Sequence, residues 1–275
     1  MKFYIIDCFA EEKYSGNELL VIIADRFISD EEQQKIAREI NFSETAFILS
    51  KEKQSGGYDV RIWTPNVGEV PFAGHPTLGT AYVIHNFLES RQNSKIILNL
   101  KVGQITVNVS ENFYTMEQNP PIFGGKIDSK IISDIFGISP YEISDNFPIQ
   151  WVSTGLEAVI VPLKNKEALK KVKVDEEKFK DYIQQNLECN CNHLFFTDAG
   201  NDSFYARCIM EDFIEDPATG SANGCMAAYL LKHGYFKKND VSYTVYQGEE
   251  MGRPSVLNIK ATYNGENISV KVGGK

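Results

Sequence analysis

The chain has 275 residues, with 28 Lys and Arg against 37 Asp and Glu, a formal net charge of −9. Hydrophobic residues make up 43% and charged residues 24%, an ordinary globular composition that excludes disorder, collagen and coiled coil. The acidic balance lacks the cationic footprint that nucleic acid or an anionic membrane surface selects, and no apolar run reaches the length of a membrane span.

At this length about two domains are expected. The start, Met1 to Cys8, reads as a short strand, because a signal peptide needs a longer apolar stretch and a cleavage site. Five cysteines, an odd number in a chain long enough for a core, point to reduced thiols and a cytoplasmic location.

In chain order, Phe3–Phe9 and Leu19–Ile23 read as strands. Ser29 or Asp30 caps a helix through Ile40, with acidic residues in its first turn. Thr45–Leu49 and Tyr58–Trp63 are strand-like, and a helix follows over Pro76–Phe87. Ile96–Leu100 and Gln104–Val109 flank Lys-Val-Gly as a hairpin. Gln118–Gly125, with Asn-Pro-Pro and Gly-Gly, reads as the linker, which gives domains at 1–117 and 126–275.

Beyond it, Ile131–Phe136 is helical and Trp151–Val161 holds one or two strands. Residues 164–186 form one or two amphipathic helices with solvated charged faces. Leu194–Thr197 and Tyr205–Met210 are strands, Ala222–His233 is a helix, and Val256–Lys260 with Ile268–Val272 close the chain as strands. The mixture is α+β with much antiparallel pairing.

A shift of 146 residues lays Arg61 on Arg207, Glu69 on Glu215, Pro71 on Pro217, Gly74 on Gly220 and Ala81 on Ala227. Both copies run strand, Glu-x-Pro-x-x-Gly loop, small-residue helix. A looser echo at offset 139 pairs Ser15–Glu18 with Thr154–Glu157. The pattern is that of a duplication, with two similar domains bringing both loop–helix junctions to one cleft.

Each junction opens a helix, whose first turn has unpaired N–H groups and a positive dipole end. Gly74 and Gly220 allow close approach, so the pair suits a substrate carboxylate. Neither loop has the spacing of a P-loop or a dinucleotide fingerprint. His75 at the first helix start is kept neutral there and can pass or donate a proton. Glu44, beside Phe42, Ala46 and Phe47, is placed for partial desolvation and base chemistry. Asp216 precedes Pro217, and Ser221 stands where His75 stands in the first copy. Singly, each also fits a plain role as a cap, turn or surface residue. No Ser-His-Asp pattern or nucleophile elbow makes Ser221 a nucleophile.

The segments Asn41–Phe47, Arg61–Pro65, Pro71–Gly79 and Asp216–Gly224 resemble the PhzF family, the phenazine-biosynthesis-like isomerases. The likeness covers nearly the whole chain. It implies a diaminopimelate-epimerase-like fold: two similar domains, each a mixed sheet wrapped around a central helix, with the site in the cleft. It implies that Glu44 moves a proton on a small carboxylate-bearing metabolite. His75 and Asp216 assist, and Gly74, Gly220 and Ser221 lie near the substrate carboxylate. No metal or organic cofactor is implied, and homodimers are usual.

Two departures matter. The related epimerases and racemases carry a thiol at each helix start. Here those places read Ala73-Gly74-His75 and Thr219-Gly220-Ser221, with Cys225 a turn further on. Relatives also continue past Val-Gly-Gly with a strand that returns to the first domain. Here the chain stops at Lys275, which leaves that edge open or covered by a partner subunit. Rival readings are an amino-acid or hydroxy-acid epimerase and a non-catalytic ligand binder. Cys189, Cys191 and His193 hint at a metal site, but no second cluster completes it.

Overall fold

A computed structural model describes residues 1–186 and 189–275. They form two compact units, Met1–Glu117 with Gly273–Lys275, and Gln118–Val272.

The first unit begins with β1 (Lys2–Cys8) and β2 (Asn17–Ile23), then α1 (Asp30–Ile40), β3 (Thr45–Ile48), β4 (Tyr58–Thr64) and β5 (Gly68–Val70). It continues through α2 (Gly74–Val83), β6 (Lys95–Leu100), β7 (Gly103–Ser110) and β8 (Phe113–Glu117). Pairing is antiparallel for β1–β2, parallel for β2–β3 and antiparallel for β3–β4. Beyond β4 the sheet runs parallel to β6, then antiparallel through β7 and β8.

Helix α2 packs against β1, β2, β3, β6, β7 and β8, so its side chains are buried nearly all round. That explains a helix of small and apolar residues with no polar stripe. Gly79 makes the close approach possible. A Cβ there would lie 2.7 Å from Cys8 Sγ and from Leu19 Cδ2. After Val83 the helix widens into a π turn, Ile84–Leu88, closed by Glu89 N–H donating to Ile84 O at 2.9 Å. On the outer face α1 is capped by Ser29 and stopped by Asn41 in the left-handed region. Ala37, Leu20, Ile22, Phe47 and Trp63 join there as a core.

The second unit repeats the plan: β9 (Ile122–Lys126), α3 (Ser129–Phe136), β10 (Gln150–Ser153), β11 (Glu157–Pro162), α4 (Lys166–Lys171), α5 (Glu176–Gln185), β12 (Asn192–Asp198) and β13 (Ser203–Ile209). There follow β14 (Glu215–Asp216), α6 (Gly220–Lys232), β15 (Asp240–Gln247), β16 (Ser255–Tyr263) and β17 (Ile268–Gly274). Pairing is again antiparallel for β10–β11, parallel for β11–β12, antiparallel for β12–β13, parallel for β13–β15 and antiparallel for β15–β16.

The 146-residue offset is written into the registers. Ile62 faces Val70 and Trp63 faces Glu69; Cys208 faces Asp216 and Ile209 faces Glu215. Each short strand is tied by the same ion pair. Arg61 Nε and Nη2 reach Glu69 at 2.9 and 2.8 Å; Arg207 Nε and Nη2 reach Glu215 at 2.8 and 2.7 Å. Each arginine also holds an outer helix. Arg61 Nη1 meets Asp30 at the start of α1, and Arg207 Nη1 takes the carbonyls of Leu169, Lys170 and Val172 at the end of α4.

One expectation needs correction. Residues 118–125 are no linker: Gln118 onward groups with the second unit, and Ile122–Lys126 is a strand on β10. Its Gly124 serves packing, since a Cβ would lie 2.7 Å from the Trp151 ring. The last residues, Gly273–Lys275, group with the first unit and not the second. Phe9 N–H donates to Lys275 O at 2.6 Å, and a Cβ on Gly273 would meet Tyr114 O and Thr115 Oγ1 at 2.7 Å.

Candidate active site

In the first unit, β3 and the start of α2 bring Glu44 and His75 together. Glu44 immediately precedes β3, and His75 is the second residue of α2. His75 Nε2 lies 3.5 Å from Glu44 Oε2. The imidazole is 5% exposed, and burial lowers its pKa to about 3; a hydrogen bond with the Glu18 backbone opposes that shift. It is therefore neutral at physiological pH, as expected at a helix start, with burial as the largest cause. Among the described residues Nε2 has no hydrogen-bond partner, so the ring meets the Glu18 carbonyl through Nδ1–H. That leaves Nε2 as the ring nitrogen nearer the Glu44 carboxyl.

The Cys8 thiol lies behind the pair and donates to His75 O at 3.5 Å. Burial, Asp7 and Glu44 all push its pKa up, so it stays a thiol. Glu18 follows Gly16, whose φ of +76° and lack of a Cβ let the turn pass Cys8 O; a Cβ would lie within 2.4 Å.

In the second unit, Asp216 sits in β14 and accepts a hydrogen bond from Thr219 Oγ1 at 2.5 Å. Gln247, at the end of β15, braces the loop. Its Nε2 donates to Asp216 O at 2.8 Å and to Thr219 Oγ1 at 3.0 Å. Its Oε1 accepts from Asn223 Nδ2 at 2.8 Å. Gln118 Nε2 donates to Gly220 O at 3.0 Å, and its Oε1 accepts from Thr154 Oγ1 at 2.6 Å. Sequence reasoning missed Gln247 and placed Gln118 in a linker.

Among the described residues, no side chain caps α2 or α6, since Ala73 has none to offer and Thr219 spends its hydroxyl on Asp216. In both helices the fourth residue returns to the cap carbonyl: Thr77 Oγ1 to Ala73 O at 2.7 Å, Asn223 Nδ2 to Thr219 O at 2.9 Å. The N–H groups of Gly74 and His75, and of Gly220 and Ser221, thus begin helices that carry no acidic residue in the first turn.

The other three histidines have structural partners. His85 Nδ1 lies 2.9 Å from Tyr114 OH, and His233 Nε2 lies 2.8 Å from Gln150 Oε1. His193 is packed between Phe136 and Phe179 with Nδ1 3.0 Å from Cys191 O. Among the described residues, no three His, Cys, Asp or Glu side chains gather to hold a metal. No helix among them is long and apolar enough to cross a membrane. A hollow of about 360 Å³ opens beside Asp145, Lys164, Asp198 and Tyr235. Its charges are already engaged: Lys164 with Asp145 at 3.2 Å, and Asp198 with Gly200 N–H at 2.7 Å.

A duplicated α+β protein with each mixed sheet wrapped around a helix has the diaminopimelate-epimerase-like fold. A hydroxyproline epimerase from Agrobacterium vitis shares the fold at a TM-score of 0.66 with 12% identity, over 99% of this chain and 87% of that one. Much nearer is a PhzF-family structure from Bacillus anthracis, with TM-score 0.88 and 25% identity over 100% and 96% of the two chains. The trans-2,3-dihydro-3-hydroxyanthranilate isomerase of Pseudomonas chlororaphis is 32% identical across 99% of this chain and 95% of its own. Residues 6–275 match the family described as phenazine biosynthesis-like protein, PhzC-PhzF. The chain belongs to that family, and it is an isomerase.

Proposed function

We propose that the enzyme shifts a proton within a small carboxylate-bearing metabolite, without metal or organic cofactor. Glu44 takes the proton from an activated carbon and returns it elsewhere on the same face. His75 Nε2 receives the hydrogen bond of the protonated Glu44 and fixes where that proton points. Asp216, held by Thr219, assists reprotonation and holds substrate. The N–H groups at Gly74, Gly220 and Ser221 bind the carboxylate. The observation that carries this reading is the contact of 3.5 Å between a neutral His75 and Glu44. Buried thiols at Cys8, Cys191, Cys208 and Cys225 suit a reducing compartment. We extend the proposal to a homodimer, which sedimentation tests.

Two-base racemisation through thiols is the weaker reading. The two helix starts, Ala73-Gly74-His75 and Thr219-Gly220-Ser221, carry no thiol, and Cys225 is occupied: its Sγ donates to Leu156 O at 3.3 Å, and burial raises its pKa to about 11. The test uses trans-2,3-dihydro-3-hydroxyanthranilate, the compound named for the Pseudomonas relatives, as first substrate. Glu44→Gln is expected to lose about 10²–10⁴-fold in turnover with an unchanged melting temperature. Full activity in that variant would refute the assignment.

A further inference from the structure

The strand registers extend the duplication past the motifs. Thr45 faces Trp63, and His193 faces Ile209. Trp63 and Ile209 are 146 residues apart, so Thr45 corresponds to His193 and Glu44 to Asn192. The next strand agrees. Leu20 pairs with Thr45, and Val159 with His193, which reproduces the 139-residue offset between Glu18 and Glu157. The helix offset sets His75 against Ser221. Where the first unit has an acid–base pair, the second has two neutral hydrogen-bonding side chains.

Asn192 stands apart from the packing around it. Only 5% of the residue is exposed, its Oδ1 is buried, and that oxygen has no hydrogen-bond partner among the described residues. Such a group costs stability unless something pairs with it. Its position follows from alternation along β12. Phe195 faces the outer core, whereas Phe196 packs against Tyr229 of α6 at 6.1 Å. Asn192 shares the face of Phe196, about 13 Å back along the strand. About 13 Å back along α6 from Tyr229 is the Gly220–Ser221 start.

We propose that Asn192 is a substrate-recognition residue, whose carboxamide pairs with an amino or hydroxyl group next to the carboxylate bound at the start of α6. The preferred substrates are thus 2-amino or 2-hydroxy carboxylates and their vinylogous relatives. This rests on the reading of the α6 start as a carboxylate site. The amide offers both an acceptor and a donor, which suits either neighbouring group. By the same correspondence Ser221, at the place of His75, is the second neutral partner.

The experiment is a calorimetric titration of the full chain with 2-aminobenzoate and with benzoate, which differ only in the amino group. The wild-type protein is expected to favour 2-aminobenzoate by about 3–10-fold, the worth of one neutral hydrogen bond. Asn192→Leu should erase the preference and leave benzoate affinity within about twofold. Asn192→Ser, smaller and still polar, provides a second variant, with circular dichroism and a thermal melt to establish that both fold. A variant that keeps the preference, or a wild-type protein that binds neither acid or both equally, would overturn the proposal. Failure of the proton-transfer reading shows in the turnover of Glu44→Gln, whereas this proposal is read from the titrations of the wild-type protein and the Asn192 variants.

Discussion

His75 and His193 are both held neutral by burial, and each makes stability depend on pH. The pKa values fall to about 3 and about 4, from 6.5 in the unfolded chain. Between those values and 6.5 the unfolded chain binds protons that the folded protein does not. Stability is therefore full above about pH 6.5 and lost as pH falls, by at most about 1.4 kcal/mol per unit for each histidine. His193→Phe, which suits the Phe136 and Phe179 surroundings, should flatten the decline between pH 6 and 4 in urea titrations. An unchanged slope would contradict that assignment. By the same logic, His75 contributes no acid limb to kcat/KM above about pH 5. The residues of the Asn41–Phe47 and Pro71–Gly79 segments were legible because they carry a motif. Gln247 and Asn192 were not, because their importance comes from strand register, which no local pattern reveals.

At the scale of elements, the two arginine forks show how one sequence echo becomes structure. Arg207 is 9% exposed and Arg61 22%. Arg207→Met strands Glu215 and frees the end of α4, and should cost about 3–5 kcal/mol in chemical denaturation. Arg61→Met should cost about 1 kcal/mol, because water screens that pair. Equal losses would contradict the burial argument. Gly79→Ala forces a Cβ into Cys8, Leu19 and Ile6 and should cost about 1–3 kcal/mol. Most elements could be read from periodicity, including α1 with its Ser29 cap and the β6–β7 hairpin. Strand β9 was hidden because Pro-Pro and Gly-Gly resemble a linker, although Gly124 is there for Trp151. In β15 the alternation of Val241, Tyr243 and Val245 was present and unread. The short β5 and β14 are too brief to show any period.

At the scale of the whole molecule, duplication followed by divergence is the organising fact. Each unit repeats the sheet order, the central helix with an uncapped start, and the arginine fork. They differ where chemistry would be: Glu44 and His75 in one, Asn192 and Ser221 in the other, with Asp216 standing where the first unit has Val70. On the proposed reading, that asymmetry gives one principal base and one neutral recognition surface. The family was legible in the sequence because its motifs fall at these divergent junctions. Gly273–Lys275 group with residues more than 150 positions earlier, a placement that only the fold reveals. The most direct test follows isomerisation in deuterium oxide by NMR, comparing the wild-type protein with Glu44→Gln. The account predicts product with one new C–H or C–D bond on a single face, and a loss of about 100-fold or more in the variant. Equal rates, or deuterium delivered to both faces, would contradict it.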